Sequence, residues 1–342
     1  MHFPIYILPI LLLSFTICLI STRALITLLP KWGLVDVPEE RRQHKKVTPR
    51  GGGIAVLIAF SIGFALIDYL WLQSAYTTNL LAPLWVIGLV SICDDIRHVN
   101  VAVRLALQLI IAAYLAYTLL LPHQLFHGEL SYIPDFIMSV IAFAGFINIY
   151  NFMDGMDGMT TSQSVHLSIT ILIICFLRYD VILHVELVIV IASLVLVCAM
   201  AFSIYNWHPA HIFLGDVGSI TFGVLMGLAL MLIAASGERL FVATIIASMY
   251  YLVDGGVTIL IRPEVNPIVR FFKGETIWQP HLQHFFQQAI RKRVSHKKII
   301  AEIILCNYWL MMLAIGALFY PVISLLMAIL IVARVLIKFG EN

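Results

Sequence analysis

The residues best suited to chemistry in this sequence are carboxylates and amides that stand where long apolar runs end. Asp94 and Asp95 close one run, a segment at 148–158 carries four such residues at intervals of three, and Asp216 precedes a later run. A carboxylate at the centre of a membrane span costs about 2.5 to 3.5 kcal/mol on insertion scales, so acids near spans are functional candidates. The complete set is Asp94, Asp95, Asn148, Asn151, Asp154, Asp157, Asn206 and Asp216.

Oxygen ligands of this kind, with no cysteine among them, suit Mg2+ and also Mn2+. Mg2+ usually takes one or two protein carboxylates and completes its shell with water and substrate phosphates. A nucleoside diphosphate is therefore a natural ligand for such a site. The five cysteines stand singly along the sequence, which excludes a CxxC zinc or redox motif.

The elements that carry these residues must include breaks in helices. Successive members of the 148–158 segment drift by about 60° around an α-helix, so all four cannot share one helical face. Gly155 and Gly158 supply a permissive backbone for a break. We expect Asn148 and Asn151 on the last turn of a span and the two aspartates on the following turn. The segment 206–219, with its Pro and Gly residues, is built alike.

Two connections between apolar runs carry basic residues that suit phosphate. One offers Lys46 and Arg50 before three consecutive glycines at 51–53, and the other contains His281 and His284. Exposed backbone amides and Lys bind phosphate in glycine-rich loops. A Lys/Arg cluster beside a span is also the ordinary signal of membrane orientation, so both interpretations stay open.

Composition excludes a soluble enzyme. Of the 342 residues 61% are hydrophobic and 12% charged, and mean hydropathy is +0.97; a net charge of +2 gives no field that favours nucleic acid. The apolar runs are continuous rather than alternating, which requires helices and not barrel strands. We predict an all-α polytopic membrane protein with eleven spans, at about 3–29, 54–72, 80–93, 103–121, 135–150, 163–178, 184–205, 219–236, 241–261, 299–318 and 320–338.

The distribution of basic residues predicts the orientation of the chain. With eleven spans, 18 of the 21 Lys and Arg residues fall on one side, which is cytoplasmic by the positive-inside rule. The N-terminus, read as an uncleaved first span, is then outside and the C-terminus inside. The predicted cytoplasmic loops that carry the site lie near 30–53, 94–102, 151–161, 206–218 and 262–298.

Four motifs follow one another along the chain: Thr48-Pro-Arg-Gly-Gly, Asp94-Asp95, Asn148-x-x-Asn151-Phe-x-Asp154-Gly-x-Asp157-Gly, and Phe213-Leu-Gly-Asp216-Val-Gly-Ser. In order and spacing they resemble the polyprenyl-phosphate N-acetylhexosamine-1-phosphate transferases of glycosyltransferase family 4. The resemblance covers nearly all of residues 1–342, as one transmembrane transferase domain. It implies a multi-pass protein of the bacterial inner membrane with its active site on the cytoplasmic face.

The resemblance also implies the reaction. Members transfer a sugar 1-phosphate from a UDP-sugar to a polyprenyl phosphate such as undecaprenyl phosphate, release UMP, and form a lipid-linked diphosphate sugar that initiates O-antigen or a related envelope glycan. The expected enzyme is therefore a UDP-N-acetylhexosamine:polyprenyl-phosphate phosphotransferase that uses Mg2+. A direct attack by the lipid phosphate and a covalent enzyme intermediate both remain open.

Roles are carried over from the family's motifs by position. Asn151 and Asp216 resemble the metal ligands, and Asp94, Asp95, His281 and His284 resemble catalytic residues. The substrate-binding residues implied in this way are Lys46, Thr48, Asn148, Asp154, Asp157, Asn206 and Phe213, with Phe213 stacking on the base.

One segment departs from the family's pattern. Many members have a tight cluster of histidines in the last large loop, whereas this chain has the spaced pair His281 and His284. The spaced pair resembles the O-antigen initiators more than the peptidoglycan enzyme. It leaves the donor open between N-acetylglucosamine and a 6-deoxy relative.

Other interpretations remain. A transporter or flippase of lipid-linked sugars is the alternative function, although transporters gather ionisable residues near the bilayer midplane and show internal repeats. Asp254, inside the ninth span, either lines the path of the lipid acceptor or is a buried acid hydrogen-bonded within the bundle. A homodimer is possible, and nucleic acid is not an expected partner.

Overall fold

The computed structural model describes residues 4, 7–37, 47–97, 99–261 and 284–341. Among these, twelve α-helices account for nearly all regular structure. They are α1 Ile7–Leu28, α2 Gly53–Ile67, α3 Ala82–Ile96, α4 Val101–Leu115, α5 Tyr132–Phe152, α6 Met159–Leu177, α7 Val185–Asn206, α8 Gly215–Ala234, α9 Glu238–Ile261, α10 Phe285–Arg291, α11 His296–Ala317 and α12 Pro321–Glu341.

The prediction of an all-α polytopic membrane protein is confirmed. Ten helical stretches in the described part of the chain are long and apolar enough to cross a membrane, counting short 3-10 or π-type turns that extend α1 to α4. The eleventh long helix is α9, with 24 residues, at the place of the ninth predicted span. Among the helices of the described residues, α10, with seven residues, is the one too short to span.

The chain divides into two compact units, 1–238 and 239–342. In the first unit α8 is the central helix, with 94% of its apolar window buried. It packs against α2, α3, α5, α6 and α7. Its glycines permit close approach, since a Cβ on Gly223 would lie 3.2 Å from Ile147 Cα and one on Gly227 would lie 2.7 Å from the Phe143 ring. Residues that begin α8 are therefore held in a rigid setting.

A short β-ribbon was not predicted. Strands β1 Val35–Asp36 and β2 Thr48–Pro49 pair antiparallel, with Val35 opposite Pro49 and Asp36 opposite Thr48. Two-residue strands carry no periodicity that a sequence could show. The ribbon fixes both ends of the connection between α1 and α2, and so fixes the position of Arg50.

The second unit contains α9 to α12. Helices α11 and α12 pack against each other, and α10 packs on both of them. The Lys292 ammonium donates a hydrogen bond to the Gly340 carbonyl, which fastens the end of α10 to α12.

Candidate active site

Four separate segments of the first unit bring charged side chains into one cluster. Arg50 follows β2, Asp94 and Asp95 lie in the last turn of α3, Arg104 lies in α4, and Asp216 lies in the first turn of α8. Arg50 Nε is 3.1 Å from Asp95 Oδ1, and its Nη2 is 2.8 Å from Asp216 Oδ1. Arg104 Nη1 pairs with Asp94 Oδ2 and lies 3.1 Å from Asp216 Oδ2. We call these five residues the acid–arginine cluster.

Asp95 is the most deeply buried acid of the acid–arginine cluster, with its side chain 2% exposed. A Cβ placed on Gly215 would lie 2.8 Å from Asp95 Oδ2 and 2.9 Å from the Gly51 nitrogen. Both glycines have positive φ, +104° at Gly51 and +72° at Gly215. The acid therefore sits against two backbone turns that favour glycine.

Asp94 is tied to the turn between α3 and α4. Its Oδ1 accepts a hydrogen bond of 2.7 Å from the Val99 backbone N–H, while Oδ2 pairs with Arg104. Asn100 then caps α4 by accepting from the Ala102 backbone N–H at 2.8 Å. This turn explains why Asp94 and Arg104, ten residues apart, meet.

The position of Arg50 follows from backbone pairing between residues 49–53 and the segment before α8. Phe213 N–H donates to the Pro49 carbonyl at 2.8 Å, Gly52 N–H donates to the Phe213 carbonyl at 2.9 Å, and Gly53 N–H donates to the Leu214 carbonyl at 2.8 Å. A Cβ on Gly53 would lie 2.2 Å from Gly218 Cα. The glycine run thus serves close packing of backbone on backbone as well as any ligand.

Asn151 lies on the last turn of α5, as its spacing predicts, and faces the start of α8. Ser219 Oγ donates to Asn151 Oδ1 at 2.6 Å, and Ser219 is one turn after Asp216. Asn148, one turn earlier, donates to Gln108 Oε1 at 2.6 Å. The amides of α5 are therefore held by α4 on one side and by α8 on the other.

Asp154 lies in the turn after α5, where the sequence predicts it, and is half-buried. Desolvation and the nearby Asp216 and Asp95 carboxylates raise the pKa of its carboxyl to about 7, although Arg50 opposes the shift. For Arg50 itself burial lowers the pKa, but Asp95 and Asp216 outweigh that effect and the net shift is upward. The guanidinium is therefore charged at neutral pH.

A second group of polar side chains joins the turn before α6 to the turn after α7. Asn206 Oδ1 accepts from the Gly158 backbone N–H at 3.1 Å, and its Nδ2 donates to the Ile212 carbonyl at 2.9 Å. Asp157 Oδ2 lies 2.7 Å from His208 Nδ1 and accepts from the Ala210 backbone N–H at 3.1 Å. Asn206 and Asp157 therefore shape these turns through their side chains.

The central part of the chain matches a known protein family. Residues 77–234 match the sequence model named Glycosyl transferase family 4, and that range includes Asp94, Asp95, Asn151 and Asp216. This central segment of the chain is similar to that family. The resemblance to polyprenyl-phosphate N-acetylhexosamine-1-phosphate transferases is thereby confirmed.

Proteins similar to this chain carry two kinds of name. Over 284 residues the chain is 27% identical to the probable undecaprenyl-phosphate N-acetylglucosaminyl 1-phosphate transferase of Bacillus subtilis (strain 168), covering 81% of this chain and 75% of that protein. Over 319 residues it is 27% identical to the decaprenyl-phosphate N-acetylglucosaminephosphotransferase of Mycolicibacterium smegmatis, covering 84% and 75%. The phospho-N-acetylmuramoyl-pentapeptide-transferase of Chlamydia abortus is 27% identical over 224 residues, covering 58% and 63%.

The remaining residues predicted for the site lie in different places. Thr48 is buried in the β-ribbon, and the half-buried Phe213 shares a backbone bridge with Arg50. His284 belongs to the second unit, where its Nδ1 lies 3.4 Å from Asp254 Oδ1. Lys46 and His281 lie outside the described residues.

Sequence reasoning missed two features of the site. The sequence analysis used Arg104 only to predict membrane orientation. A charged residue inside the apolar run 103–121 also indicates function. Ser219 was noted only as the end of a motif, yet its hydroxyl links Asn151 to the first turn of α8. Both lie within the range that matches the transferase family.

Proposed function

We propose that this protein transfers an N-acetylhexosamine 1-phosphate from a UDP-sugar to undecaprenyl phosphate, releasing UMP. The match of residues 77–234 to glycosyl transferase family 4, and relatives named for polyprenyl-phosphate sugar phosphotransfer, support the coarser statement, transfer of a sugar 1-phosphate to a polyprenyl phosphate. The observation that carries the proposal is the acid–arginine cluster, which places two guanidinium groups among three carboxylates at the ends of helices. A phosphoryl-transfer site needs such positioning and charge compensation more than covalent chemistry.

We propose Mg2+ as the cofactor, with Mn2+ as a substitute, held by Asn151 and Asp216. The donor set fits, since both side chains offer hard oxygens and Ser219 joins Asn151 to the turn that carries Asp216. A carboxylate has about four lone-pair positions, so the arginine contacts of Asp216 leave it further capacity as a ligand. When bound, the metal supplies positive charge that stabilises the diphosphate oxygens.

Arg50 and Arg104 are proposed to share this task. Their guanidinium groups are planar forks that suit phosphate oxygens, and each already joins two carboxylates. Binding of the UDP-sugar diphosphate would exchange part of these ion pairs for contacts with phosphate. The arginines are then both a support for the acids and a binding site for the leaving UMP.

Asp94 and Asp95 are proposed to position the reacting groups and not to remove a proton from the lipid phosphate. Asp94 accepts from the Val99 N–H and Arg104, and Asp95 is paired with Arg50, so both carboxylates are already engaged by an arginine. A phosphate monoester has a second pKa of about 6, so the lipid phosphate needs little help to become a nucleophile. We propose direct attack of this phosphate on the phosphorus that bears the sugar.

The other assignments rest on the family resemblance. Asp157 and Asn206, which order the turns between α5 and α8, are proposed to form the uridine end with Phe213 stacking on the base. His284 and His281 are proposed to act on the donor diphosphate. Further substrate contacts are assigned to Lys46, Thr48, Asn148 and Asp154.

The cellular setting is proposed with the reaction. The protein is a multi-pass membrane protein, and we place it in the bacterial inner membrane with the site on the cytoplasmic face, where the UDP-sugar is available. The product is proposed to initiate O-antigen or a related envelope glycan.

A donor panel tests this proposal. Purified protein is incubated with undecaprenyl phosphate, Mg2+ and one donor at a time: UDP-N-acetylglucosamine, a 6-deoxy UDP-N-acetylhexosamine, or UDP-N-acetylmuramoyl-pentapeptide. Mass spectrometry of the lipid fraction identifies the product. We expect a lipid diphosphate with one N-acetylhexosamine; product from the pentapeptide donor alone would overturn the proposed substrate while leaving phosphotransfer intact.

A further inference from the structure

Asp254 in α9 is a buried acid to which the proposed reaction assigns no role. Its side chain is fully buried, and two hydrogen-bond donors and one histidine ring surround it within the second unit. The Phe285 backbone N–H donates to Oδ1 at 3.0 Å, the Tyr250 hydroxyl donates to Oδ2 at 3.2 Å, and His284 Nδ1 lies 3.4 Å from Oδ1. The Asp254 carboxylate therefore connects α9 to the start of α10.

A buried carboxylate is costly unless it is paired. Among the described residues, the one ion pair recorded for Asp254 is with His284. The His284 side chain is 8% exposed, so this contact is shielded from water on both sides. The Asp254–His284 contact is therefore a buried ion pair.

The His284 ring is fixed by more than Asp254. It stacks on Phe286 with centroids 5.7 Å apart and an interplanar angle of 18°, and its backbone N–H donates to Gln287 Oε1 at 3.2 Å. With Nδ1 against the carboxylate, Nε2 is the ring nitrogen left for a ligand. At its other end α10 is fastened to α12 by Lys292. The helix that presents the histidine is therefore held at both ends.

We propose that Asp254 is a positioning residue for His284. Its carboxylate lies against Nδ1 and sets the ring through this ion-pair contact, which leaves Nε2 to donate to a phosphate oxygen of the UDP-sugar. This inference rests on the proposed function, in which His284 acts on the donor diphosphate. Of the two interpretations of Asp254 from the sequence, it favours the hydrogen-bonded acid over a lining of the acceptor path.

Asp254→Asn tests the role of the charge. The amide oxygen can still accept from the Phe285 N–H, so the start of α10 keeps its hydrogen bond while the carboxylate charge is lost. We expect kcat/KM to fall by about tenfold to a hundredfold, the range for losing a contact with a buried charged group. The matched control is Tyr251→Phe, which removes a buried hydroxyl from the same helix without removing a recorded contact of Asp254.

A double-mutant cycle separates positioning from a general structural role. If Asp254 acts through His284, Asp254→Asn has little further effect on kcat/KM in a His284→Asn background. Equal fold-losses from Asp254→Asn in both backgrounds would overturn the proposal, because a structural defect does not depend on His284.

A measurement without turnover keeps the test independent of the proposed function. Diethyl pyrocarbonate modifies accessible imidazole rings, and mass spectrometry reports the rate at His284. We expect faster modification in Asp254→Asn than in the wild type or Tyr251→Phe, since the ring is released from its carboxylate. An unchanged rate would contradict the positioning role, whereas a wild-type protein with no transferase activity would contradict only the proposed function.

Discussion

Arg104 is the residue on which the proposed site most depends among those that the sequence did not single out. It joins Asp94 at the end of α3 to Asp216 at the start of α8. Arg104→Gln leaves both carboxylates without this guanidinium, and we expect kcat/KM to fall by roughly a hundredfold, as for loss of one preorganised charge-stabilising donor. Arg104→Lys keeps the charge but not the planar fork, so its kcat/KM should lie between those of the wild type and Arg104→Gln.

Steady-state kinetics with saturating lipid measure this effect. Arg97→Gln is the matched control, because Arg97 is an exposed arginine that directly follows α3, the helix that carries Asp94. Near-normal kcat/KM in Arg104→Gln would show that the Asp94–Arg104–Asp216 bridge does not serve the reaction.

Asp154 gives the protein a pH-dependent stability. The pKa of its carboxyl is about 7 in the fold, against about 3.9 for an unperturbed Asp. A raised pKa means that the fold favours the protonated form, so this contribution is fully present below pH 4 and is lost as pH rises through 7. Asp154→Asn removes the cost of ionisation and should unfold a few degrees above the wild type at pH 8.5.

Thermal unfolding of detergent-solubilised, metal-free protein at pH 4.5 and pH 8.5 measures the difference. We expect the advantage of Asp154→Asn to shrink at the lower pH, while the exposed control Asp180→Asn shows no such trend. An advantage of the same size at both pH values would contradict the assigned pKa.

For single residues, the sequence predicts the acids of the site better than the arginines that pair with them. Asp94, Asp95 and Asp216 stand out because carboxylates are rare beside apolar runs. The pairing of these acids with Arg50 and Arg104 does not stand out, because Lys and Arg beside spans are the normal mark of orientation. The Arg50 and Arg104 contacts with Asp216 cross 166 and 112 residues of sequence, so only the packed fold reveals them.

The element that positions Arg50 is the glycine run before α2, packed on the start of α8. A Cβ on Gly53 would lie 2.2 Å from Gly218 Cα, which is backbone and cannot rotate away. Gly53→Ala should therefore push the two helix starts apart, and we expect both a lower unfolding temperature and a loss of transferase activity of tenfold or more, roughly the effect of overpacking by 1 to 3 kcal/mol.

Gly145→Ala in α5 is the control for this prediction. Nothing lies within 4 Å of a Cβ at Gly145, so alanine should be neutral or slightly stabilising there through its helix propensity. Both variants are compared by thermal unfolding and by activity. A Gly53→Ala protein with the stability and activity of the wild type would show that this close contact does not hold the site.

Helix boundaries explain where sequence reasoning on elements fell short. The spans were located by apolar runs, but α3 continues through Asp94 and Asp95 to Ile96, and α8 begins at Gly215. The acids lie at helix ends, which agrees with their position at the ends of the apolar runs. The break after Asn151 was predicted because four polar residues at intervals of three cannot share a helical face; α5 ends at Phe152 and α6 begins at Met159.

For the whole molecule, the central expectation from the sequence is its orientation in the membrane. The excess of Lys and Arg on one side predicts a cytoplasmic C-terminus. A green fluorescent protein fused after Asn342 should fluoresce, and alkaline phosphatase fused there should be inactive. An active phosphatase fusion would invert the topology and place the acid–arginine cluster on the outer face, away from cytoplasmic UDP-sugars.

Composition alone sufficed to predict an all-α membrane bundle, because continuous apolar runs leave helices as the way to satisfy the backbone in lipid. The identity of the donor sugar was beyond such reasoning. Discrimination among N-acetylhexosamines depends on a few contacts with hydroxyl or methyl groups, and neither apolar periodicity nor motif spacing encodes those contacts.

The most direct test of the central claim is UMP release by purified protein, with and without undecaprenyl phosphate, beside Asp216→Asn. Asp216 joins both arginines of the acid–arginine cluster and is the proposed metal ligand. We predict UMP release that requires lipid phosphate, is lost on chelation of divalent metal, and falls at least a hundredfold in Asp216→Asn, comparable with loss of a charge-stabilising group. Release that proceeds at the same rate without lipid, or in a folded Asp216→Asn protein, would contradict the account.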